Sequence, residues 1–237
     1  MNAFLTIPPA ARPRRVIFIG DIHGCYDELV ELLGKLRPSA DDVVISVGDI
    51  VRKGPHAIRC LRLWQERGYH AVLGNNEARV LEHSSFPANF FTRADVREIA
   101  IRPQLVRYLR TWPIAIDVPE QNVSAVHGGF FPSMTLGEES VAANRYDLVR
   151  MRYLRRAGEA WKRVSKGKEQ PGDVQWAEVW SGPRMVVYGH TPVREATFTK
   201  HALGIDTGCV YGGKLTAAVF SGDTTELVSV SARRKYD

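Results

Sequence analysis

No stretch of this sequence approaches the roughly 20 consecutive apolar residues that a membrane-crossing helix requires, which argues against a membrane partner or anchor. The opening MNAFLTIPPAARPRR places its few apolar side chains before the basic ones, the reverse of a secretory leader. Cysteine is scarce. Cys25, Cys60 and Cys209 make an odd count with no Cys-x-x-Cys spacing, so neither a disulfide framework nor a zinc ribbon is indicated, and reduced thiols in a cytoplasmic protein are expected. Internal repeats, low-complexity runs and long Gly/Ser linkers are also missing. At 44% hydrophobic residues the chain is too apolar to be disordered, and its 237 residues suffice for one sizeable core but are few for two. A single domain over residues 1–237 is expected.

What is present is an uneven charge. The net charge is +6, and the segment from Asn144 to Lys168 holds nine bases against only Asp147 and Glu159, so the rest of the chain is close to neutral. A local cationic field of this kind attracts phosphoesters, polyphosphates or nucleic acid, although a solvated helix face has the same composition. The segment interrupts the pattern around it, and a helical, lid-like insertion over about residues 135–180 is expected.

The first third repeats one unit. Arg15–Ile19, Val43–Val47 and Ala71–Leu73 are short, largely apolar runs, ending in Gly20-Asp21, Gly48-Asp49 and Gly74-Asn75-Asn76. After the first, Leu29, Leu32, Leu33 and Leu36 recur at helical spacing; after the second, Ile58, Leu61 and Trp64 do. Strand, loop and helix in repetition predict parallel strands covered by helices, with ligands at the carboxyl ends of the strands. Ala94–Trp112 reads as helix. Strands are expected at Ile114–Val118, Val123–Val126, Met185–Tyr188, Ala202–Ile205, Leu215–Phe220 and Glu226–Val230, the last four suiting a second sheet. The fold class is α/β, a four-layer α-β-β-α sandwich.

The polar residues behind these runs are Asp21 and His23 (GDIHG), Asp49 (GDIVRKG), Asn75 (GNNE), His127 (HGG) and His190 (GHT), each near a glycine that permits a sharp turn. Three oxygen donors and three imidazoles are too many for one metal that keeps an open position, and suit two divalent ions sharing a bridging carboxylate. Mixed O/N donors accept Mn²⁺, Fe²⁺ or Zn²⁺.

Taken in order, GDIHG, GDIVRKGP, GNNE, HGG and GHT resemble the motifs of the calcineurin-like metallophosphoesterases, in particular the phosphoprotein-phosphatase superfamily. GDIVRKGP, RMRYL around Arg152, WAEVWSGPRMVVYGHTP and GIDTGCVYGGKLTA are similar to the ApaH-like branch, over about Val16 to Phe220 and least between Phe86 and Arg110. The resemblance implies that Asp21 and His23 hold one metal, that Asp49 bridges, and that Asn75, His127 and His190 complete the ligands of the second metal, with manganese the implied ion. It implies Lys53 and Arg152 as catalytic phosphate clamps, with Arg52 beside them. Tyr211 either stacks on a base or is a packed structural tyrosine.

The implied activity is a phosphohydrolase working through a metal-bridging hydroxide on dinucleoside polyphosphates, splitting diadenosine tetraphosphate symmetrically into two ADP. A serine/threonine phosphoprotein phosphatase or a polyphosphatase of the same fold is the alternative; a catalytically weak module binding nucleotide or RNA is an alternative of another class. Two positions depart from the family pattern. The catalytic histidine of GNHE is Asn76 here, and its usual aspartate partner is Arg52. Asn76 cannot act as a general acid, a contribution typically worth about 10²–10⁴-fold, so poor leaving groups should suffer most and phosphoanhydrides least.

Overall fold

The computed structural model describes residues 2–12, 14–85 and 94–237; residues 86–93, where the family resemblance is weakest, lie outside it. A short strand β1 (Phe4–Thr6), absent from the sequence reading, precedes the repeated units. These follow as β2 (Val16–Ile19), α1 (Tyr26–Leu36), β3 (Val43–Ser46), α2 (Ala57–Glu66), β4 (His70–Ala71) and α3 (Asn75–His83). The expected helix over Ala94–Trp112 is two helices, α4 (Ala94–Ala100) and α5 (Pro103–Leu109). The break falls at Pro103, whose ring suits a first helical turn and not a helix interior.

Strands β5 (Ala115–Val118) and β6 (Val123–Val126) lead to helix α6 (Glu138–Leu148), followed by β7 (Tyr153–Ala157), β8 (Ala160–Val164), β9 (Val174–Gln175) and a short helix α7 (Trp176–Val179). The expected insertion over about 135–180 is therefore mixed: α6 and α7 are helical as expected, but the basic residues between them form a three-stranded antiparallel sheet in the order β8-β7-β9. The strands win because Leu154 and Val164 bury themselves while the neighbouring bases turn outward, and Gly158, at φ 65°, opens a two-residue hairpin loop.

The chain closes with β10 (Met185–Tyr188), β11 (Thr197–Phe198), β12 (Ala202–Gly204), β13 (Lys214–Ser221) and β14 (Thr224–Ser231). These do not form a sheet of their own, as the sequence suggested. Strands β13 and β14 extend the first sheet, in the order β14-β13-β2-β3-β4, whereas β10, β12 and β11 join β1-β5-β6 in the second. Within the first sheet β2, β3 and β4 are parallel; within the second, β6, β10 and β12 are parallel.

The two sheets pack face to face. Val16 and Phe18 of β2, with Ile45 of β3, meet Ile116, Val118 and Val187 from the facing sheet. The alternate residues Ile17 and Ile19 turn outward and pack with Leu29, Leu32 and Trp64 of α1 and α2. Both faces of β2 are thus buried, which is why it reads as an unbroken apolar run. Helices outside two stacked sheets give the expected α-β-β-α layering. Among the described residues no helix is long and apolar enough to cross a membrane.

Phe18 is fully buried between the sheets and meets Phe220 edge to face, with ring centres 5.4 Å apart. Phe18→Ala is expected to cost about 3–5 kcal/mol, read as a lower denaturant midpoint with an unchanged m-value.

Candidate metal centre and phosphate cavity

Six parallel strand ends converge at the seam between the sheets, three from each, and each delivers a polar side chain. Asp21 and His23 follow β2, Asp49 follows β3, Asn75 opens α3 after β4, and His127, His190 and Asp206 follow β6, β10 and β12. The structure brings all six residues of the expected ligand set together. Asp21, Asp49 and His127 offer donor atoms within 4.8 Å of one another, and His23 Nε2 lies 3.7 Å from Asp21 Oδ2 and 3.5 Å from Asp49 Oδ2. Asn75 and His190 complete the group: Asn75 Oδ1 is 3.0 Å from His127 Nε2, and the His190 ring lies 4.9 Å from that of His127.

These loops are held in unusual conformations. Seven non-glycine residues have positive φ among the described residues, and five of them are His23, Asp49, Arg52, Lys53 and His190. Such strain is retained where the surroundings impose it, and it concentrates at functional sites. Here the surroundings are backbone hydrogen bonds between loops. Ile22 and His23 donate to the Asp49 carbonyl, Gly189 donates to the His127 carbonyl, and the His190 amide donates to Asp21 at 3.2 Å. Gly189 cannot be larger, because a Cβ there would collide with Asp21 Oδ1.

The imidazoles are oriented for coordination. His23 Nδ1 lies 3.1 Å from the Val51 carbonyl and His127 Nδ1 lies 2.8 Å from the Val47 carbonyl. A carbonyl only accepts, so each Nδ1 carries the proton and each Nε2 presents a lone pair to the centre. His127 Nε2 then faces Asn75 Oδ1 acceptor to acceptor, an arrangement relieved by a cation between them or by rotation of the amide. The Lys53 ammonium donates to His23 Nε2 at 2.8 Å, so a positive charge already sits where a cation would meet that ring. The donor set therefore fits hard-to-borderline divalent metals.

Burial governs the charges. It pushes Asp21 well above the usual carboxylate range, with the charges of Asp206 and Asp49 adding to the effect. For Asp49 burial acts the same way, but His127, His23, the Asn76 amide and Lys53 outweigh it, and its pKa falls below the usual range. Burial lowers His23 to about 4 and moves His127 and His190 down as well, so the rings are neutral and able to coordinate. Asp206, raised to about 6 by its burial, is a third carboxylate that the sequence reading missed. Its signal was available: Asp206 follows an apolar run as Asp21 does.

Asn76 is bound into the site. Its amide N–H donates to Asp49 Oδ1 at 2.9 Å, its side-chain Nδ2 donates to Asp49 Oδ2, and its Oδ1 accepts from Arg52 Nη1. Arg52 also reaches Asp95 at 3.3 Å. Glu77, the last residue of GNNE and likewise missed as a site residue, is fully buried and accepts three backbone N–H bonds, from Asp49, Val51 and Gly74, at 2.9–3.0 Å. It ties the β3 and β4 loops together.

A cavity of about 440 Å³ opens above this cluster. Lys53, Arg152, Arg52 and Tyr211 all line it, as expected of phosphate-binding residues, together with Arg79, Arg150, Arg163 and Lys166. Arg152 donates from Nη2 to the His190 carbonyl at 2.7 Å, while its buried Nε has no partner. An orphaned guanidinium N–H beside the cluster is suited to an anionic oxygen. Tyr211 is 41% exposed, which excludes the packed structural role.

The sequence pattern of the calcineurin-like phosphoesterases matches residues 14–224. The asymmetrical bis(5'-nucleosyl)-tetraphosphatase PrpE of Oceanobacillus iheyensis is 30% identical, over 94% of each chain. The enzyme of the same name from Halalkalibacterium halodurans is 29% identical, over 91% of this chain and 93% of its own. A crystal structure provisionally described as a diadenosine tetraphosphatase superposes with a TM-score of 0.80 at 30% identity, covering 98% and 99% of the two chains. A serine/threonine phosphatase from Saccharomyces cerevisiae, at 15% identity and a TM-score of 0.61, shares the fold. The tetraphosphatase relatives are named asymmetrical, not symmetrical as the motif resemblance implied.

Glu77→Ala would strand three buried N–H groups, each worth about 1–3 kcal/mol. The metal-free protein is expected to lose at least about 3 kcal/mol in chemical denaturation, and Glu77→Gln, which keeps one of the two acceptor oxygens, to lose less.

Proposed function

The chain belongs to the calcineurin-like phosphoesterases, and we propose that within this hydrolase family it splits dinucleoside tetraphosphates asymmetrically, into a nucleoside triphosphate and a nucleoside monophosphate. The observation that carries the reading is the Arg52–Asn76 pair against Asp49. A neutral amide stands where a general acid would serve an alkoxide leaving group, and a phosphoanhydride releases a phosphate that needs little protonation. That favours anhydrides over phosphoserine. The names of the relatives support the asymmetrical bond.

Asp21 and His23 would hold one divalent cation, Asn75, His127 and His190 the other, and Asp49 both. Manganese is the proposed ion, with Fe²⁺ and Zn²⁺ compatible with the same donors. When bound, such a pair supplies Lewis acidity and lowers the pKa of the attacking water. The chain's own residues do the rest. Lys53 meets a phosphate oxygen as a compact point charge, and Arg152 offers its unpartnered Nε and a planar fork to another. Arg52 fixes the amide of Asn76 so that Nδ2 points at Asp49 and holds that carboxylate in one orientation. The cationic cavity neutralises the substrate's charge, and the whole chain acts as one domain with residues of the 135–180 segment forming one wall of the site.

The test is product analysis. Manganese-loaded protein incubated with diadenosine tetraphosphate should yield ATP and AMP on anion-exchange chromatography, and chelation should abolish both. ADP as the sole product would overturn the asymmetrical reading.

A second experiment addresses the leaving group. Asn76→His alone should not restore acid catalysis, because the Arg52 guanidinium beside it disfavours an imidazolium. Arg52→Asp together with Asn76→His should raise turnover of alkyl phosphates relative to the dinucleotide by up to about 10²-fold. Equal ratios in the wild-type and doubly substituted proteins would remove the leaving-group argument.

A further inference from the structure

Two exposed tyrosines line the cavity, Tyr211 and Tyr146. Tyr211 accepts a hydrogen bond from Lys53 Nζ at 2.8 Å, and that ammonium lies 5.0 Å from the ring centre. Lys53 in turn reaches His23 Nε2 at 2.8 Å, so Tyr211 is one side chain removed from the imidazole and carboxylate cluster. Tyr146, on α6 and 58% exposed, is held by other cations. The Arg150 guanidinium lies 4.1 Å from its ring centre and that of Arg163, from the hairpin, 5.6 Å. Arg150 is bridged to Glu82 on α3 and Arg163 to Asp147 on α6, which fixes the group from three elements.

The cavity's charges are unevenly partnered. The carboxylates that line the cavity, Asp21, Asp49 and Asp206, all lie at strand ends in the cluster. Arg79 and Lys166 line it as well, and among the described residues neither has an ion-pair partner. A volume of about 440 Å³ is in the range that accepts a nucleotide-sized ligand, more than one phosphate at the cluster would fill. Uncompensated cations beside a fixed aromatic ring are the combination that binds a phosphate chain ending in a base.

Resting on the tetraphosphatase reading above, the geometry points to a second nucleotide subsite at Tyr146. Tyr146, backed by Arg150 and Arg163, seats a second base, and Arg79 and Lys166 hold phosphates of the bridge that leads to it. Tyr211 seats the first nucleoside beside the cluster. Because Tyr211 is linked to the cluster through Lys53 whereas the Tyr146 ring is held by Arg150 and Arg163, the two nucleosides of one substrate would not be equivalent about the reacting bond. The attacked phosphorus is the one adjoining the nucleoside at Tyr211. There the oxygen of water forms the new bond to phosphorus, the bond to the bridging oxygen breaks, and the nucleoside triphosphate leaves as an anion while the protons of the water pass to solvent. One water is consumed, and a monophosphate and a triphosphate result.

The test compares diadenosine tetraphosphate with adenosine 5'-tetraphosphate, which has the same number of phosphates and one base. In Tyr146→Ala the ratio of KM for the two-base substrate to KM for the one-base substrate should rise about tenfold, the scale of one lost stacking contact, with kcat for the two-base substrate little changed. Tyr146→Trp should restore the wild-type ratio. An unchanged ratio, including one in which both KM values rise together as a structural disturbance would cause, overturns the second subsite alone. A wild-type protein that turns over an aryl phosphate but neither nucleotide overturns the tetraphosphatase reading and the subsite with it.

Discussion

Three carboxylates buried within reach of one another, Asp21, Asp49 and Asp206, set the terms for the rest of this structure. Burial alone disfavours their charge, and each raises the others' cost, which is why Asp21 and Asp206 are pushed up and only Asp49, surrounded by His23, His127, Asn76 and Lys53, stays well ionised. Such a cluster is tolerable only where positive charge is supplied. The loops that carry it are shaped to that end: two imidazoles are locked by backbone carbonyls with their lone pairs inward, and Lys53 and Arg152 lean over the same point. Glu77 answers the remaining demand. It satisfies the amides of Asp49, Val51 and Gly74, which the left-handed turn at Asp49 directs away from any strand partner.

The centre was legible in the sequence because it is built on a local rule. An apolar run that ends in a polar residue beside a glycine is a strand end facing a ligand, and Asp21, Asp49, Asn75, His127 and His190 each obey it. Asp206 obeys it too and was passed over, since its run, Ala202–Ile205, is short and its motif had been read for Tyr211. The distribution of strands between the sheets was not legible. Which strand pairs with which is decided by distant partners: β13 pairs with β2 across nearly two hundred residues, and no pattern within Lys214–Ser221 names that neighbour. The basic segment misled for a different reason. Arg and Lys are good helix formers, and composition outweighed the alternation of Leu154 and Val164 with charged neighbours and the Gly158-Glu159 hairpin loop.

Under the proposed function, that segment also explains why motifs resembling the symmetrical branch do not decide which bond is cut. The motif residues surround the reacting phosphorus and describe what is done there. They carry no information on how far the substrate's other end extends. In that reading the register of cleavage belongs to cavity residues outside those motifs: Tyr146 of α6, Arg79 of α3, Arg163 of β8 and Lys166. Two enzymes with the same centre can therefore cut one substrate at different bonds, provided the cations and aromatic rings lining the cavity are placed differently.

Arg52 and Asn76 are best understood as one change. An aspartate at position 52 would add a fourth negative charge close to the buried Asp21–Asp49–Asp206 group, and it is tolerable in relatives only with a histidine to pair it. Once position 76 is an amide, that pairing is gone and the aspartate would be an uncompensated buried charge. Arginine reverses the sign: it donates to Asn76 Oδ1, engages Asp95, and adds positive charge beside three carboxylates. The exchange gives up proton delivery and gains electrostatic balance. A centre that cuts anhydrides, whose leaving groups depart as phosphates already ionised at neutral pH, loses little by it. One that cut serine phosphates would lose its acid, so the pair at positions 52 and 76 ties the electrostatics of the buried cluster to the class of bond it can break.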